Sequence, residues 1–259
     1  MAFIECNFYS DCLMTNTTVS VIIPSMNMEI SGKERSKFKK DRKFRTLYLF
    51  HGIFGDHTDW MRFSSIERYA EENSLAVVMP ACANSFYADM VHGGKYWTFI
   101  SEELPNAMKA LFPLSDKRED NFTAGLSMGG YGAFKLALRK PEQFAAAISL
   151  SGGLDIVAQV RKPAIPNLAL KDVFADPEKI RDSEDDLFYL IRHAVENGIE
   201  IPMMYQACGT EDFLYTDNLR FRDYAQNLGV NLTYTESKGI HDFYFRDEYI
   251  QKAIRWLQQ

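Results

Sequence analysis

"FTAGLSMGGYGAFKLAL", Phe122 to Leu138, places a serine between glycines at the point where a strand-like apolar run stops and a helical pattern begins. The glycines could serve a sharp turn that exposes a nucleophile, or they could let a helix pack closely on a sheet. Gly125-Leu126-Ser127-Met128-Gly129 spells G-x-S-x-G, with the strand-like "NFTAG" before it and the helical "YGAFKLALRK" after it. That is the setting the motif requires. Small residues at 125 and 129 let the chain reverse around a strained serine, so that its Oγ projects above a sheet at a helix N-terminus. The context therefore favours the nucleophile.

The rest of the chain extends this pattern. Strands are predicted for "TTVSVIIP" (17–24), paired with "AFIECNFYS", and then for "FRTLYLFHG", "LAVVMPA", "NFTAG", "FAAAISLSGG", "IPMMYQACG" and "NLTYTES". The central runs are short and nearly continuously apolar, as strands buried on both faces must be. Helices are predicted over 60–72, 100–112, 129–140, 216–228 and 247–257. Alternation of this kind gives an α/β fold with a mostly parallel central sheet flanked by helices. With no repeat and no low-complexity linker, residues 1–259 read as a single domain. One segment, 154–200, breaks the rhythm: "RKPAIPNLALKDVFADPEK" is proline-spaced, and "SEDDLFYLIRHAVENG" is helical. It reads equally well as a small cap insertion over a pocket or as a crossover helix with a long lead-in.

Composition narrows the function. A net charge of −6 argues against a nucleic-acid binder that works by phosphate neutralisation. "KERSKFKKDRKFR", Lys33 to Arg45, holds eight basic residues against two acids, but without aromatic interleaving it reads as a solvated loop joining two strands. No secretory signal and no membrane span are recognisable, so no membrane partner is expected. Cys6, Cys12, Cys82 and Cys208 are scattered, without metal-site spacing, and read as reduced thiols of a cytoplasmic protein. The N-x-T triplets at Asn16, Asn121 and Asn231 are then chance matches. There is no H-E-x-x-H, and Ser127 occupies the position where a dinucleotide fingerprint needs its second glycine. Neither a metal nor a cofactor is expected.

A serine needs a base to take its proton and an acid to orient that base. Two histidines follow Ser127: His193 lies within a helical stretch, whereas His241 follows the last strand and precedes the last helix, which makes it the better base. "CGTEDFLY" follows a strand and offers Glu211 and Asp212 at its carboxyl end. Asp212 is preferred because a turn at Gly209 can aim its carboxylate along the sheet edge. The oxyanion donors expected are the Met128 amide and one from "HGIFG", where Ile53 is favoured over Phe54. His51 reads as a brace of that loop. Phe54, Tyr87 and Trp97, on loops at the carboxyl end of the sheet, are candidate substrate-binding residues.

"LYLFHGIFGDHTDW", "VVMPACANSFYADM", "EELPNAMKALFP", "FTAGLSMGGYGAFKLAL", "CGTEDFLY" and "HDFYF" together resemble the esterase D-type α/β-hydrolases, most of all the small bacterial tributyrin esterases. The resemblance runs from about residue 44 to the end and is weakest in the insertion. It implies a cytoplasmic serine carboxylesterase of the α/β-hydrolase fold, acting on acetyl to butyryl esters without metal or cofactor. In it, Ser127, Asp212 and His241 would form the triad, and Ile53 and Met128 the oxyanion hole. Phe54 stands where that branch tends to carry a small residue, which bears on acyl preference. Related branches deacylate S-formylglutathione, feruloyl esters or acetylated sugars, and some transfer acyl groups. A catalytically idle hydrolase fold used for binding is the alternative outside enzymes. The resemblance also implies a homo-oligomer.

Overall fold

The computed structural model describes residues 1–25, 41–163, 165–166, 168–174 and 176–258. Most of the basic stretch Lys33–Arg45, read above as a solvated loop, lies outside the described residues. Eight strands form one sheet: β1 (Ala2–Ser10), β2 (Thr15–Ile23), β3 (Arg45–Phe50), β4 (Leu75–Pro80), β5 (Asn121–Leu126), β6 (Ala146–Leu150), β7 (Met203–Gly209) and β8 (Leu232–Ser237). Their order is β1-β2-β4-β3-β5-β6-β7-β8. β1 pairs antiparallel with β2, and β2 antiparallel with β4. Every other pairing is parallel. This is the α/β-hydrolase architecture, with each expected strand present.

Alternation along the strands builds two cores. Tyr48, Phe50, Val78 and Ala147 face one side, beneath helices Met128–Arg139, Leu187–Glu196 and Tyr215–Asn227. Leu47, Leu49, Val77 and Ile148 face the other, beneath Ile66–Glu72 and Phe243–Trp256. Burial on both faces is why these strands lack a polar register.

Three helices depart from expectation, each for a local reason. The run 60–72 is split into Asp59–Phe63 and Ile66–Glu72 because the Ser64 hydroxyl donates to the Trp60 carbonyl at 2.5 Å and the backbone at Ser64 is extended. The helix expected from 100 starts at Tyr96 and passes through a π-turn, Phe99–Glu103, before Leu104–Leu111. Pro105, which has no N–H for the carbonyl four residues back, sits just after that turn. The last helix begins at Phe243, not 247, because the Asp242 carboxylate caps it by accepting the Phe245 N–H at 2.9 Å.

The sheet also has a switch point. β4 lies on one side of β3 and β5 on the other, and Phe50 pairs with Gly125. The loops leaving β3 and β5 therefore emerge side by side at the carboxyl edge, where open α/β sheets hold ligands.

Candidate active site

Ser127 follows directly on β5 and has φ 56° and ψ −117°, a conformation that L-residues rarely adopt. Two glycines make the turn feasible. A Cβ on Gly125 would lie 2.2 Å from the Gly129 backbone, and one on Gly129 would lie 2.4 Å from the Phe50 carbonyl oxygen. The Ser127 amide donates to the Leu150 carbonyl at 2.9 Å, while its own carbonyl accepts from the Tyr131 and Gly153 amides, both at 3.1 Å. The strained geometry is thus held from three sides. Met128 opens the helix, so its amide has no intrahelical acceptor.

The β3 loop lies against this turn: a Cβ on Gly52 would sit 3.5 Å from the Ser127 Cβ. Its frame is the buried His51, whose Nδ1 lies 2.7 Å from the Gly52 carbonyl oxygen and whose Nε2 accepts the Cys82 N–H at 2.9 Å. These partners require the neutral ring protonated at Nδ1. Burial pushes the His51 pKa down in the same direction. Phe54 is left-handed at φ 67°, and its amide donates to Asn84 Oδ1 at 2.8 Å. The Ile53 amide has no acceptor among the described residues. Of the two, Ile53 is the one left free to donate to a ligand.

At the far side, the Asp212 amide donates to the Gly209 carbonyl at 3.1 Å, closing the expected turn. A Cβ on Gly209 would lie 2.3 Å from the Gly239 carbonyl oxygen, so the loops after β7 and β8 are in backbone contact there. That contact brings together two residues 29 apart in the chain, and His241 Nδ1 lies 2.8 Å from Asp212 Oδ2. Burial pushes the Asp212 carboxyl up, but hydrogen bonds from His241 and from the Leu214 amide more than reverse this, and the group is held below its ordinary 3.8. An ionised Asp212 only accepts, so Nδ1 of His241 carries a proton, and in the neutral ring Nε2 is the acceptor. Glu211 is exposed and faces Lys238 at 3.8 Å. His193 is exposed on the helix Leu187–Glu196.

Two cavities meet at Ser127. An inner pocket of about 20 Å³ is lined by apolar groups, among them Ile53, Phe86, Met128, Leu168, Leu170 and Leu214. An outer cleft of about 660 Å³ is lined in part by Gly52, Phe54, His241 and Phe243. Ser127, Ile53, Ile165 and Phe213 border both. Phe54, 75% exposed, lies on the outer rim.

The expectation for Tyr87 and Trp97 is corrected: neither lines a cavity at Ser127. Tyr87 is fully buried against Phe50, and its hydroxyl donates to the His51 carbonyl at 2.8 Å. Trp97 is buried too, with the Arg139 guanidinium 3.7 Å from its ring centroid. The actual lining from the 154–200 segment, Ile165, Leu168 and Leu170, was missed because its irregular, proline-spaced sequence carries no periodicity. Phe213 and Phe243, each adjacent to a site motif, were within reach of the motif argument. Pro163, Ile165, Leu168 and Leu170 of the segment line the inner pocket, and the helix Leu187–Glu196 lies between β6 and β7 in the chain. Among the described residues, no three His, Cys, Asp or Glu side chains gather closely enough to hold a metal ion, and no helix is long and apolar enough to cross a membrane.

Residues 23–251 match the family model described as "Putative esterase". The chain is 34% identical to an acetyl esterase of Caldicellulosiruptor saccharolyticus, with 100% of this chain and 99% of that one covered. It is similar to the solved structure of FphF, a fluorophosphonate-binding serine hydrolase of Staphylococcus aureus, at a TM-score of 0.91 and 35% identity, covering 100% and 98% of the two chains. It is also similar to S-formylglutathione hydrolase FrmB of the same organism, with a TM-score of 0.88, 35% identity, and 100% and 99% covered.

Proposed function

This chain belongs to the putative esterase family and is a carboxylic ester hydrolase; on that premise we propose that it cleaves short-chain acyl esters, acetyl to butyryl, through Ser127, His241 and Asp212. The observation that carries the reading is the pairing of His241 Nδ1 with buried Asp212 beside a cleft that also contains Ser127. Nε2 of His241 takes the Ser127 proton as Oγ bonds to the ester carbonyl carbon. The resulting oxyanion is stabilised by the Ile53 and Met128 amides. The intermediate collapses, the carbon–oxygen bond to the alcohol breaks, and the alcohol leaves with the proton from Nε2. Water then gives a proton to Nε2 as its oxygen attacks the acyl carbon. The acid departs, and the proton returns to Ser127.

The small apolar inner pocket, next to Met128 and away from His241, supports a short acyl group. A p-nitrophenyl series from acetate to octanoate, run with a chelator on the wild type and on Ser127→Ala, tests this. The expected outcome is chelator-insensitive hydrolysis that is fastest on short acyl groups, with kcat lower in the variant by on the order of 10⁴-fold or more. Equal rates in wild type and variant would refute it.

A further inference from the structure

The outer cleft is large relative to the inner pocket, and its position assigns its contents. In the mechanism above, the leaving oxygen must receive its proton from His241, so the alcohol half of the ester lies on the His241 side. The cleft lined by His241 is therefore where that half sits.

Its wall there is aromatic and built in advance. Phe63 and Phe243 stack with centroids 4.1 Å apart and planes within 9°. The buried Arg246 guanidinium lies 4.3 Å from the Phe243 centroid and 5.5 Å from that of Phe63, and its Nη1 pairs with Asp59 Oδ2 at 2.8 Å. Phe63 remains 37% exposed, Phe243 46% and Phe213 56%, and all three border the cleft. A large apolar surface of this kind on a functional rim marks a binding site. The charges around it are mixed: Arg246 pairs with Asp59, the exposed Arg62 guanidinium lies 5.4 Å from the Phe63 centroid, and the Asp242 carboxylate caps the last helix.

We propose that the outer cleft is a leaving-group subsite for aromatic alcohols, recognised by the Phe63–Phe243 platform. The proposal rests on the serine esterase reading and adds the alcohol half of the substrate. Because all acetates pass through one acetyl-enzyme, discrimination among alcohols is read in kcat/KM, while deacylation stays common.

The test uses the purified full chain with 1-naphthyl, phenyl and methyl acetates. The proteins compared are wild type, Phe243→Ala, Phe63→Ala and Phe243→Tyr, each checked by thermal melting. Phe243→Ala and Phe63→Ala are expected to lower kcat/KM for 1-naphthyl acetate about 3- to 10-fold more than for methyl acetate, the scale of one aromatic contact. Phe243→Tyr should restore it. Phenyl acetate should show a loss intermediate between those for 1-naphthyl and methyl acetate. Equal losses on all acetates would overturn the subsite while leaving the esterase intact. An inert wild type would overturn the esterase reading and the subsite together.

Discussion

Ser127 holds a backbone conformation that costs about 1–3 kcal/mol, and the two glycines around it are what make that conformation reachable. Gly129→Ala would drive a methyl group into the Phe50 carbonyl, a backbone contact that no rotamer change relieves. The expected result is a lowered melting temperature together with lost turnover. Asp212→Asn keeps the shape of the acid but no longer forces the proton onto Nδ1 of His241; kcat should fall on the order of 10⁴-fold with the fold retained, measured by steady-state kinetics and circular dichroism. His51 makes a pH prediction. Its native pKa lies below the 6.5 of an ordinary histidine, so below that pH the unfolded chain binds a proton that the native chain refuses. Stability is complete above about pH 6.5, falls as pH drops through it, and levels off below the native pKa. Melting temperatures between pH 7.5 and 5 should show a decline that is shallower in His51→Gln.

The elements that shape the site are loops held against regular structure. Ala83, Phe86 and Tyr87 all have positive φ, between 47° and 51°. This strained loop reaches the β3 loop through Cys82, Asn84 and the Tyr87 hydroxyl. It is anchored in turn by the buried Lys135, whose ammonium donates to the Tyr87 carbonyl at 3.0 Å. The placement of the Ile53 amide therefore depends on two loops and a helix together. Asn84→Ala leaves the Phe54 amide without its acceptor and loosens the turn. Turnover of a short-chain ester should fall roughly tenfold with a smaller change in KM, less than the on the order of 100-fold typical of removing a donor outright.

Across the whole molecule, the inner pocket is formed by residues from distant parts of the chain: Ile53, Phe86, Met128, Leu170 and Leu214. Enlarging it at Leu170, which is also buried in the core, should move the preferred acyl chain toward hexanoate. Leu170→Ala is expected to cost about 2–5 kcal/mol of stability as the cavity opens, so the ester series is paired with a melting curve. A shift of chain-length optimum in the variant, with Ser127 chemistry retained, is the result that assigns this pocket to the acyl group.

The sequence alone determined the strand order along the chain and the Ser127 turn, and it singled out Asp212 and His241 as candidates. Each of these depends on local signals: apolar runs, glycines flanking a serine, and charged residues just past a strand end. Even the bracing role of His51 was readable from its place in a glycine-rich loop. What covers the site was decided only by tertiary structure. Tyr87 and Trp97 have the composition of pocket walls yet turn inward to hold loops, because a buried hydroxyl needs an acceptor and a large ring gains most from full burial. Ile165, Leu168 and Leu170 line the pocket from a stretch with no periodicity; Leu170 is buried in the core and Leu168 packs against it, by tertiary contact and not by any repeat of their own. The Gly209–Gly239 contact that brings Asp212 to His241 is a meeting of two backbones, and nothing in either loop by itself specifies the other.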